Sequence, residues 1–159
     1  MSAISQRRRA AGAALTALAL SAAFAPSALA GGAVVTRGEL SAFATGAGQT
    51  ITGSALMVRT SDGRTFVTIH VEGLAPGTTY ASHVHKQACA DGAADGHYRF
   101  DPAGAATPPN EIWPGPFTTN DAGIGNANTI AQGTAGPGAV SVVVHAPGAL
   151  MSDPNWPPF

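Results

Sequence analysis

Two stretches, "RTFVTIHVEGL" from Arg64 and "GAVSVVVHAP" from Gly138, carry apolar side chains at every second residue. That period belongs to a half-buried β-strand, because successive Cβ atoms point to opposite faces of a sheet. In the first stretch Val67, Ile69 and Val71 share a face assigned to the core, while Phe66, Thr68 and His70 take the other. In the second, Val140, Val142 and Val144 oppose Ser141, Val143 and His145. The run "SALMVRT" precedes the first across the turn "SDG", which predicts a hairpin. A second hairpin is predicted at "FTTNDAGIGNANT", turning at Asn120 to Gly123. Further strands are predicted at "YASHVH" and around Ala33 to Leu40. No stretch of useful length has helical spacing. Gly and Pro are frequent, at 20 and 12 residues, but apolar residues are too common for disorder. The expectation is an all-β sandwich or Greek-key barrel with one long loop, Lys86 to Pro116.

The amino terminus follows other rules. "MSAISQRRR" is cationic, the next run is uncharged and apolar, and "SALA" places small residues at Ala28 and Ala30. This reads as a secretory signal peptide over residues 1–30, cleaved after Ala30. Its apolar run is shorter than the roughly 20 residues of a membrane-spanning helix. Residues 31–159 then form a single domain. Without Arg7, Arg8 and Arg9, five basic residues face nine acidic ones and the formal charge falls from −1 to −4. That balance disfavours nucleic acid as a partner. Export to the cell envelope or beyond would place Cys89, the single cysteine, in an oxidising compartment, where an odd thiol needs explaining.

Three of the five histidines fall between Ser82 and Pro102, in "SHVHKQACADGAADGHYRFDP". His83 and His85 are two apart on a strand, so both imidazoles project from one face and can chelate one ion. His97 in the loop and His145 at a strand end are further candidates. Imidazole-only sets suit copper, zinc or nickel, and four nitrogens without a thiolate favour tetragonal copper over structural zinc. A surface pair of histidines has the same spacing, and bringing His145 to the others requires a fold.

The strings "VEGLAPGTTYASHVH", "GHYRFDP", "GPFTTNDAGIGNA" and "VSVVVHAP" together resemble the copper/zinc superoxide dismutase family, in the same order and at compatible spacing over Leu56 to Pro147. The resemblance implies an eight-stranded Greek-key barrel or sandwich with copper ligands His83, His85, His97 and His145. Two extra residues follow His97 relative to the family pattern. Arg99 could align there instead, but a guanidinium has no lone pair for a metal. The stretch after His97 has no further histidine, so the family's usual zinc site is absent and the chain resembles the copper-only branch. There a carboxylate can orient the loop histidine, with Glu111 and Asp101 as candidates, each of which could equally be a solvated loop acid.

No arginine or cysteine follows His145, whereas the family supplies there an anion-guiding arginine, a disulfide cysteine and a closing strand. Relative to the family this leaves Cys89 without its partner, or as a small buried thiol without a role, and the chain is either a fragment or lacks the final strand, an edge that a second copy in a homodimer or the Pro-rich tail could cover. Lys86 and Arg99 remain as anion-attracting candidates, or as ordinary loop charges. The resemblance implies conversion of superoxide to oxygen and hydrogen peroxide by copper redox cycling, with His97 as proton donor and activity reduced by the missing arginine. A secreted copper-binding or carrier domain without catalysis, and a structural β-sandwich with remnant histidines, are the alternatives.

Overall fold

The computed structural model describes residues 32–43, 50–89, 96–145 and 147, together with the backbone of Ser27–Ala28. The expectations for a signal peptide and for a missing strand after His145 fall almost entirely outside the described residues. Among the described residues eight strands are formed: β1 (Ser27–Ala28), β2 (Val34–Ser41), β3 (Thr52–Arg59), β4 (Thr65–Glu72), β5 (Thr79–His85), β6 (Phe117–Thr118), β7 (Gly125–Ala131) and β8 (Ser141–His145). They make two antiparallel sheets, in the orders β1-β2-β3-β4-β7 and β6-β5-β8. Among the described residues there is no helix, so the architecture is all-β.

The alternating pattern of β4 sets the packing. Val67, Ile69 and Val71 are at most 1 % exposed. On the opposite face, His70 stands in solvent, hydrogen-bonded to Asn126 Oδ1 at 2.8 Å and Glu72 Oε1 at 3.0 Å. The core between the sheets has two parts. One gathers Ile69, Val71, Leu74, Tyr80, Phe117 and Ala127, and the other gathers Met57, Val67, Val84, Ile112 and three alanines. Val84 and Ile112 form the floor beneath the strand that carries His83 and His85, and so set the level at which those two side chains stand. Val142 packs against both parts and Val144 against the first, as the alternation in "SVVVH" requires.

The hairpin of β3 and β4 forms in full register from Arg59↔Thr65 to Thr52↔Glu72. The second expected hairpin does not. Its turn is present, with Gly123 N donating to Asn120 O at 2.9 Å and Asn120 N donating to Ile124 O at 2.9 Å. Its two arms, however, join different sheets: β6 pairs with β5, whereas β7 pairs with β4. The local turn chemistry was legible, but the choice of strand partners is a long-range packing matter. Leu74 N, in the crossover from β4 to β5, donates to Gly123 O at 3.1 Å, so the two crossovers are docked to each other. Gly123 has φ +72°, and a Cβ there would run into the Leu74 carbonyl oxygen, so only glycine permits this approach.

The connection from β7 to β8 is held at several points. Thr65 Oγ1 donates to Gly133 O at 2.7 Å and accepts from Ala135 N at 2.8 Å. Arg59 Nε donates to Ala135 O at 2.8 Å, and Gly136 N donates to the Tyr98 hydroxyl at 2.9 Å. These contacts bring the chain back to β5, where β8 pairs from Ala81↔His145 to His85↔Ser141. Ile112→Ala should lower stability by about 2–5 kcal/mol through the cavity it leaves. Ile130→Ala, at a half-exposed position, should change it by no more than about 0.5 kcal/mol. Urea denaturation of the two variants measures both.

Candidate metal centre

The register of β5 and β8 decides which side chains meet. Ala81 pairs with His145 and His83 with Val143, so Ala81, His83, His85 and His145 lie on one face. Val84 and Val142 take the other face, towards the core. His83 and His85 are buried, at 1 % and 4 % exposure.

Beyond its two-residue pairing with β6, that edge of β5 is lined by the long loop. Tyr98 N donates to Val84 O at 2.8 Å, Lys86 N to Gly96 O at 3.2 Å and Val84 N to Ile112 O at 3.0 Å. Short bridges pair His85 with His97 and Arg99 with Glu111. The loop therefore keeps a strand's alternation without forming a regular strand. Tyr98, Phe100 and Ile112 pack into the core, and His97, Arg99, Glu111 and Trp113 are left for the histidine face. Tyr98 and Arg99, directly after His97, extend this alternation.

The four imidazoles converge. One ring nitrogen from each of His83, His85, His97 and His145 lies within 4.8 Å of all the others, so this group could hold a metal ion. His145 Nε2 is 3.2 Å from His83 Nδ1 and 3.4 Å from His85 Nε2. The His83 and His97 ring centroids are 4.0 Å apart. A ring nitrogen carries at most one proton, so His145 Nε2 cannot donate to both neighbours at once. A single metal ion could accept one nitrogen lone pair from each of the four rings. Burial, and then the charges of His97, His145 and His85, push the His83 pKa down to about 2. Burial, with His85 and His97, pushes His145 down to about 4. Both rings are therefore neutral at physiological pH, the form in which imidazole binds a metal.

Of the two acids considered from sequence, only Glu111 reaches the cluster. It is 2 % exposed, and its Oε2 lies 2.7 Å from His97 Nδ1. Trp113 Nε1 donates to the same oxygen at 2.8 Å, and Arg99 Nε donates to Oε1 at 3.1 Å. A carboxylate accepts at Nδ1, which would leave Nε2 as the His97 nitrogen to offer a metal. Asp101 is exposed and is used locally: its Oδ1 accepts from Ala103 N at 2.9 Å. It shapes the loop and does not support a histidine.

Lys86 and Arg99 line a depression of about 370 Å³ beside His97, together with Gly96, Tyr98, Pro102 and Gly138. Cys89 is exposed and forms no disulfide. Trp113 was not singled out from sequence. The available signal was its place two residues after Glu111 in an extended "EIWP" run, which puts both on one face. Comparison of the sequence with protein-family models gives no match, and comparison with curated proteins gives none either. Among the described residues, no helix is long and apolar enough to cross a membrane.

The low pKa values carry a sign for stability. Below the ordinary value of 6.5 the unfolded chain takes up protons that folded His83 and His145 refuse, so the stability of the metal-free protein falls as pH drops. Both contribute from 6.5 down to about 4, where His145 protonates in the folded state too; below that only His83 continues. Urea midpoints of the metal-free protein should therefore decrease steadily from about pH 7 to 4, and His145→Gln should flatten the slope. Midpoints independent of pH across this window would contradict the burial of neutral imidazoles.

Proposed function

We propose that the chain is an exported, copper-dependent superoxide dismutase-like protein. The observation that carries the reading is the convergence of four imidazoles of which one, His97, is tied to a buried carboxylate. The strand connections support it: the chain crosses between sheets from β4 to β5 and back from β6 to β7, then returns to pair with β5, which suits a Greek-key sandwich. The donor set, four nitrogens without thiolate, suits copper. The ordered match of sequence motifs adds the family.

Bound copper would supply the one-electron couple by which two superoxide ions and two protons yield one oxygen and one hydrogen peroxide. The chain's own residues have separable tasks. His83, His85 and His145 form a rigid part of the donor set on paired strands. His97 sits on the loop, where Glu111 holds its Nδ1 proton and aims Nε2 inward; that nitrogen can carry a proton to the departing peroxide. Arg99 and Lys86 place positive charge beside His97, where it favours the approach of an anion. Trp113 and Glu111 keep water from the inner side of the cluster, being 6 % and 2 % exposed.

The experiment combines copper titration with a direct assay of superoxide decay. One equivalent of copper is expected to bind and to support catalytic decay, and Glu111→Gln is expected to reduce affinity or rate by about 10–100-fold. Stoichiometric binding without turnover would replace the enzyme by a copper-carrying domain. Binding no tighter than that of a His83→Ala/His85→Ala variant would overturn the metal reading itself.

A further inference from the structure

Trp113 touches the histidine cluster in two ways. Its indole N–H donates to Glu111 Oε2, the same oxygen that accepts from His97 Nδ1. Its ring packs on His83, with centroids 4.8 Å apart and planes inclined at 53°, and lies 6.5 Å from the His97 ring, nearly perpendicular to it. The residue is buried at 6 % exposure, and its neighbour Ile112 is anchored in the core at 1 %. The backbone here is tied to β5 through Val84 N and Ile112 O.

We propose that Trp113 is a positioning residue for the metal centre, linking the strand ligand His83 to the loop ligand His97 through Glu111. The inference rests on the metal-binding reading and adds a residue to it. A carboxylate oxygen with a single donor can swing about its side-chain torsions. Here Arg99 fixes Oε1, while the indole fixes the direction of Oε2, so the lone pair that receives the His97 proton has one orientation. The indole ring in turn is wedged against His83, which stands on the paired core of β5 and β8. His97 is thus aligned relative to His83 although it belongs to a loop.

The test removes the N–H while keeping the ring. Trp113→Phe retains an aromatic surface, and replacement of Trp113 by benzothienylalanine retains the full indole shape should the smaller ring destabilise the fold. In the metal-free protein, the His97 Nδ1–H resonance is expected to shift upfield and to exchange faster with solvent in both variants. Copper affinity should fall by about 10-fold or more. In a double-mutant cycle, Trp113→Phe added to His97→Ala should cost little further affinity, because its effect passes through His97. Full additivity in that cycle, or an unchanged His97 resonance in the benzothienylalanine protein, would overturn the proposal. If the parent protein bound no copper, an altered His97 resonance would still establish the positioning role, and the metal reading alone would fail.

Discussion

The loop side of the histidine cluster is organised around one buried carboxylate. Glu111 is 2 % exposed, and an ionised carboxylate so placed is costly unless paired and hydrogen-bonded. Its three donors supply that compensation: Arg99 gives charge, and Trp113 and His97 give N–H groups. Among its described residues up to Pro116 the long loop forms isolated bridges rather than a strand, so the ties through Glu111 add to the backbone bonds that hold it along β5. The carboxylate binds two distant parts of that loop, around His97 and around Glu111, into one piece lying along β5. Stability and chemistry are linked here, since the group that closes the loop also chooses the tautomer of His97.

The scaffold divides the work between strands and loop. Three histidines stand on β5 and β8, whose register and apolar undersides fix them by packing. The fourth depends on side-chain hydrogen bonds. Under the proposed function such a division would keep three metal donors in place while the fourth exchanges a proton. It also explains why the cations lie on the loop side: Arg99 follows His97 by two residues and shares its face, and one guanidinium nitrogen is held by Glu111 while the group borders the depression beside His97.

Much of this was legible in the sequence because the signals were local and periodic. The alternation in "TFVTIHV" marked the buried face of β4, and that in "SVVVH" put His145 on the face opposite Val142 and Val144. The spacing of His83 and His85 placed them together. What local pattern could not supply was partner choice. The turn at Asn120 to Gly123 looked like a hairpin but joins two sheets, since β7 finds its apolar partner in β4 and β6 finds its own in β5. For the same reason Glu111 and Asp101 were indistinguishable as loop acids, until the pairing of Arg99 with Glu111 carried one inward and left the other capping its own turn. Trp113 escaped notice because its role depends on Glu111 being buried, a consequence of the tertiary fold.

The proposed centre has four imidazoles and no other side chain donating to a single ion. Pulsed electron paramagnetic resonance of the protein with one equivalent of copper(II) counts those donors. One species with four coordinated imidazole nitrogens is expected, falling to three in His97→Ala. Several species, or a spectrum unaffected by replacing His97 or His145, would contradict it.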